Sequence, residues 1–224
     1  MTNASPAPPP GADSRLEPLL YGLDIETDTS TGGLDPHESR VLAAAIASPR
    51  GTQVITGPEP KLLAQLDSAF ASLAPGVIVT WNGGGFDLPF LAARAERAGL
   101  PIGLRVWPDG RVVGRPLQPG GAVAYSAAWH HHGHLDAYRL YRHVRLALGV
   151  SASLKSLARH LGLPAIEPDA SRVHELSPAD LAAYVARDAE LAVEMAHRAW
   201  SRSGIALDPP PPAPPAAMGW GQSG

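Results

Sequence analysis

An Asp-x-Glu triplet, Asp24-Ile25-Glu26, interrupts the apolar run that starts at Leu19. In an extended strand alternate residues share a face, so Tyr21, Leu23 and Ile25 point one way while Asp24 and Glu26 point the other. Two neighbouring carboxylates on one face repel each other and become tolerable when a cation lies between them. A second acid, Asp87, ends the loop Asn82-Gly83-Gly84-Gly85-Phe86-Asp87. It can serve as a ligand, as the N-cap of the helix that follows, or as both. The three glycines permit close backbone approach to a ligand, but no Lys-Ser/Thr follows, so a nucleoside-triphosphate loop is not indicated. The third acid is Asp188, which falls within the apolar stripe Leu181, Tyr184, Val185, Leu191, Ala192 and Met195, one helical turn after Tyr184. A buried carboxylate without a partner costs several kcal/mol. No cation stands in that stripe, so a metal or an arginine from elsewhere is expected to supply the charge.

The elements needed to position these acids can be read from period and punctuation. Leu19 to Glu26, Val41 to Ala47, Thr52 to Thr56 and Val77 to Trp81 read as strands, with Pro49-Arg50-Gly51 as a turn. Lys61 to Leu73, Leu88 to Ala98, Ser153 to Leu161 and Pro178 to Trp200 have helical periodicity. Ser177-Pro178-Ala179-Asp180 is a helix start, with a capping serine, proline at the first position and an acid at the third. On the polar face of that helix Arg187, Glu190, Glu194 and Arg198 are spaced for solvated ion pairs. His134 to Leu140 reads as a strand running into a helix. A meander of strands followed by alternating helices and strands implies an α/β fold, a mixed sheet flanked by helices. The stretch Leu104 to Gly133 has no clear period beyond a turn at Pro108-Asp109-Gly110.

Composition narrows the class. The 224 residues contain no cysteine, which excludes disulfide scaffolds, thiolate metal sites and cysteine nucleophiles. The longest apolar stretch, Val41 to Ala47, is too short to span a bilayer, and Met1 to Asp13 lacks the pattern of a signal peptide, so a cytoplasmic protein with no membrane partner is expected. The net charge of −3 does not exclude a nucleic-acid enzyme, because a carboxylate cluster is neutralised by bound cations. Pro-rich tails are expected at 1–15 and 207–224, around a single folded unit at 16–206.

In order and separation, Asp24-x-Glu26, Asn82-x-x-x-Phe86-Asp87 and Tyr184-x-x-x-Asp188 resemble the three motifs of the four-acid (DEDD) 3′–5′ exonucleases, in their tyrosine form. Asn82-x-x-x-Phe86-Asp87-Leu-Pro-Phe-Leu looks most like the proofreading domain of family B DNA polymerases. His134-Leu-Asp136-Ala-Tyr-Arg-Leu-Tyr and Ser153-Leu-Lys-Ser-Leu-Ala also echo that domain. The resemblance covers most of Leu19 to Trp200 and implies a ribonuclease H-like fold with a five-stranded mixed sheet. It implies Asp24, Glu26, Asp87 and Asp188 as ligands of two Mg²⁺ or Mn²⁺ ions, and Tyr184 as the group that orients the attacking water. Thr27, Asn82 and Phe86 are the implied contacts to the terminal nucleotides. The implied activity is hydrolysis of single-stranded nucleic acid from the 3′ end, with DNA favoured over RNA, by a domain that stands alone. An RNA-trimming enzyme and a catalytically silent nucleic-acid-binding module are the alternatives.

Three further groups invite function and are read as structural. His130, His131, His132 and His134 are too close in sequence for all to face one ion. Asp136 is expected to be an ion-pair acid. Arg105, Arg111, Arg115, Arg139 and Arg142 could contact phosphates, and sequence does not choose among them.

Overall fold

The computed structural model describes residues 19–31, 33–109, 125–141, 149–166 and 170–200. The expected tails at 1–15 and 207–224, Gly110 of the expected turn, and Arg111, Arg115 and Arg142 lie outside them. The strands are β1 (Leu20–Thr27), β2 (Val41–Ser48), β3 (Gly51–Thr56), β4 (Val77–Thr80), β5 (Leu104–Pro108), β6 (Tyr125–Trp129) and β7 (His132–Asp136). They form one sheet in the order β3-β2-β1-β4-β7-β6-β5. Pairing is parallel between β1, β4 and β7 and antiparallel elsewhere, so the sheet is mixed as expected.

The sheet has seven strands rather than the expected five. The two extra strands, β5 and β6, come from the stretch that showed no clear period. Their pairing, Leu104↔Trp129 through Pro108↔Tyr125, joins segments far apart in sequence. Five-residue strands joined this way leave little local signal, because cross-strand neighbours rather than intrinsic propensity hold them. The turn from β6 to β7 is tight, and His130 takes a left-handed conformation there (φ 50°).

The helices are α1 (Glu59–Ser72), α2 (Asp87–Arg97), α3 (Ala137–Tyr141), α4 (Leu154–His160) and α5 (Pro178–Arg198). One sheet face carries Tyr21, Leu23, Ile25 and Ile78, and α1 and α2 cover it with Leu62, Leu66, Phe70, Leu88 and Leu91. Fully burying each such side chain stabilises by about 1.5–3 kcal/mol, which makes this face the main core. The opposite face packs Val77, Val79 and Leu135 against α3, α4 and α5.

Small residues let α5 approach this second face. Ala43, Ala45 and Ala47 of β2 meet Val185 and Ala189. At Gly22 of β1 an added Cβ would lie 2.0 Å from the Ala189 carbonyl oxygen. Only glycine therefore allows the helix backbone this close to the strand that carries the acids. Ser177 caps α5 as expected, its Oγ accepting from the Asp180 backbone N–H at 3.1 Å.

Candidate active site

β1 presents Asp24 and Glu26 on the α5 side of the sheet, while Tyr21, Leu23 and Ile25 face α1 and α2. The close approach at Gly22 brings Asp188 of α5 against them. Carboxylate oxygens of Asp24, Glu26 and Asp188 all lie within 4.8 Å of one another. Asp87, at the first turn of α2, lines the same pocket of about 430 Å³. It is not an N-cap: Phe86 holds that position and makes no side-chain capping bond. The Asp87 carboxylate instead accepts from its own backbone N–H and from that of Ile25, which ties α2 to β1 between the two acids.

The electrostatics of the cluster call for more positive charge than the chain provides. Burial, then Asp87, Asp188 and Glu26, drive the Asp24 carboxyl well above its usual range. Burial and Asp188 push Glu26 up to about 8. Burial pushes Asp87 up to about 7, with Asp136 adding to the effect. Asp188 is also raised by burial, although Lys155 opposes the shift.

Lys155 is a residue of this pocket that the sequence did not single out. It stands in the first turn of α4, capped by Ser153, and its Nζ bonds Asp188 Oδ2 and donates to Tyr184 Oη at 2.8 Å. The side-chain cation beside Asp188 is therefore a lysine rather than the arginine that stood as one alternative, and the metal alternative stays open on the other oxygen. A usable signal was present: a cation in the first turn of a helix is disfavoured by the helix dipole, which implies an acidic partner outside that helix. Trp81 holds the approach to α4, its indole N–H donating to the Ala152 carbonyl at 3.2 Å. One ammonium does not balance four carboxylates, and Asp188 Oδ1 remains buried without a partner. That orphaned oxygen, together with the neighbouring carboxylates, fits a divalent cation: hard oxygen donors, net negative, converging on one point.

Tyr184 lies one turn before Asp188 as expected, but it does not form a pocket wall. It is 7% exposed, and the Lys155 ammonium sits 4.3 Å above its ring. Burial and the nearby Glu26 raise its hydroxyl to about 12. Asn82 and Phe86 line the pocket, together with Trp81 and Tyr138. Asn82 adopts φ 62°, a conformation asparagine tolerates, and its N–H donates to Asp136 Oδ1 at 2.8 Å. Thr27 is buried, and its hydroxyl donates to the Gly33 carbonyl at 2.6 Å, which holds the loop after β1.

The residues read as structural make structural contacts. Asp136 accepts from the backbones of Asn82 and Tyr138. Arg139 pairs with Asp109 and lies near Asp136. The histidines point to separate partners: His130 to Asp67, His131 to the Leu73 carbonyl, His132 to the Phe70 carbonyl and His134 to the Thr80 hydroxyl.

A sequence model described as the RNase H superfamily matches residues 22–174. The chain belongs to the RNase H superfamily. The matched segment ends before α5, the helix that carries Asp188. Among curated proteins, the chain is 33% identical over 110 residues to a DNA polymerase of Archaeoglobus fulgidus. That match takes in 47% of this chain and 14% of the polymerase's length. Among solved structures, it is similar to the family B DNA polymerase of the hyperthermophilic archaeon Pyrobaculum calidifontis. The TM-score is 0.63 and the identity 20%, over 87% of this chain and 25% of that one. Among the described residues no helix is long and apolar enough to cross a membrane.

Proposed function

We propose that this chain is a divalent-metal-dependent 3′–5′ exonuclease that removes nucleotides from single-stranded DNA. The observation that carries this reading is the convergence of Asp24, Glu26 and Asp188 on one point, with an orphaned carboxylate oxygen, in an open pocket that Asp87 also lines. Asp24, Glu26 and Asp188 would hold one Mg²⁺ or Mn²⁺, and Asp24 and Asp87 a second. Ions bound there supply an activated water and charge neutralisation at the phosphodiester.

The chain's own groups do the rest. Lys155 donates to the Tyr184 oxygen, so the Tyr184 proton is left for an oxygen in the site. With its pKa at about 12, Tyr184 keeps that proton at neutral pH and acts as a positioned donor rather than a base. Lys155 also fixes the Asp188 carboxylate through one oxygen and leaves the other for a metal. Phe86, which lines the pocket, would stack against a terminal base, a contact that tolerates any sequence. The similarity to two DNA polymerases supports DNA as the substrate.

The test is a time course on 5′-labelled single-stranded DNA and RNA of one sequence, with Mg²⁺, Mn²⁺ or EDTA. A ladder shortening from the 3′ end on DNA, abolished by EDTA, is expected. Cutting of a closed circular strand, or laddering in excess EDTA, refutes the reading. Faster trimming of RNA moves the substrate to RNA.

A further inference from the structure

The two outer strands of the sheet are built differently. At one edge, β5 is five residues long, carries Arg105 and ends in Pro108. A charge and a proline are what proteins use to keep an edge strand from pairing with another chain. At the other edge, β3 reads Gly-Thr-Gln-Val-Ile-Thr: six residues in unbroken register with β2, without charge, proline or bulge.

The unpaired backbone groups of β3 follow from its turn. The closing pair across the two-residue loop is Ser48↔Gly51. Such a pair exchanges both hydrogen bonds, so Gly51, Gln53 and Ile55 bond inward to β2. Thr52, Val54 and Thr56 then present their N–H and C=O groups outward. Alongside runs an open groove of about 470 Å³, floored by β3 and walled by Gln65, Ser68 and Ser72 of α1. None of the residues lining it is charged.

We propose that β3 is a homodimer interface, occupied by β3 of a second copy of this chain in antiparallel register. The strand is its own complement about a two-fold axis at Val54. Val54 meets Val54 of the second copy, Thr52 meets Thr56, and Thr56 meets Thr52. Each outward group finds a partner, giving six backbone hydrogen bonds by the ladder rule. The paired side chains are β-branched, which favours cross-strand contact. The strand and the α1 groove carry no charge of their own. Glu190, which accepts from the Thr52 hydroxyl on the other face, is neutralised by Arg187, so two copies meet without net like-charge repulsion. The closed two-fold arrangement leaves only the guarded β5 edges free.

The test uses the full chain. Sedimentation over a concentration series should show a shift from one to two chain masses. Residue-resolved hydrogen exchange should slow the amides of Thr52, Val54 and Thr56 roughly tenfold or more on concentration, with those of Gln53 and Ile55 unchanged. Val54→Pro removes a donor that bonds nothing within one chain, and should return the protein to a monomer with its circular dichroism intact. Should that variant fail to fold, Thr56→Lys, which places a charge on an exposed edge position, carries the same test. A monomer at every concentration overturns the proposal. So does a dimer that survives the folded variants, or one in which those three amides exchange as fast as in the monomer.

Discussion

Two groups of ionisable side chains behave in opposite ways in this protein. Four carboxylates, spread from Asp24 to Asp188, converge on one pocket, three of them within 4.8 Å. Four histidines packed between His130 and His134 disperse. His130, His131 and His132 each spend a ring nitrogen on the second half of α1 or the residue after it, and His134 turns to Thr80. Adjacent residues on a strand or a tight turn are forced apart by the backbone, whereas distant residues meet wherever packed elements cross. Burial treats the two groups differently as well. It pushes His134 down to about 3, so that ring is neutral and satisfied by its bond, while it leaves the carboxylates raised and in need of charge.

The largest effect should come from Asp24, whose carboxylate faces those of Glu26, Asp87 and Asp188 at once. Asp24→Asn should lower exonuclease turnover about a thousandfold while the protein folds normally. Turnover at the wild-type level in Mg²⁺ would remove Asp24 from the site. Next comes Tyr184→Phe, which keeps the ring packed under Lys155 and removes one hydroxyl. Turnover should fall roughly ten- to a thousandfold, with Mg²⁺ affinity by titration unchanged. Loss of metal binding in this variant would show that the tyrosine is a prop for Asp188.

A third, smaller effect is on stability against pH. Folding raises Glu26 from 4.5 to about 8. Its contribution is thus fully present below the unfolded value and is lost as pH rises through the folded one. Without metal, the melting temperature should fall as pH rises from 4.5 to 8. Glu26→Gln should flatten that slope, and Mg²⁺ should stabilise most at the alkaline end, where the ligands are ionised. A metal-free melting temperature that climbs across this window would contradict the electrostatics described for the cluster. The smallest effect belongs to the dispersed group. His131→Ala removes one bond to the Leu73 carbonyl, and should cost less than about 1 kcal/mol in denaturant melts and leave turnover unchanged. A clear loss of metal or activity would break the contrast between the two groups.

Much of this was legible beforehand because it is local. The alternation in Tyr21 to Thr27 placed both acids of β1 on one face. The Ser177 cap and the apolar period placed Tyr184 and Asp188 on one face of α5, each from a handful of neighbouring residues. Lys155, by contrast, carries only the local hint of a cation at a helix start, and nothing local says that α4 will rest where its ammonium reaches Asp188 and Tyr184. The same holds for β5 and β6, whose short strands declare themselves only when paired with each other and with β7. The capping role open to Asp87 from its sequence is not taken up for a related reason: its carboxylate takes the Ile25 N–H, a partner more than sixty positions away in the chain.

The sequence by itself determined which residues could carry the chemistry, because strand alternation, helix period and caps are set by near neighbours. Only the tertiary structure decided the distances between them. Gly22 allows α5 to lie against β1, the alanines of β2 make room beside it, and the crossing brings Asp188 to Asp24 and Glu26. It also decided the number of strands, the lysine that partners Asp188 and the separate fates of the four histidines. Each of these depends on contacts between elements remote in the chain, which close packing fixes and local propensity does not encode.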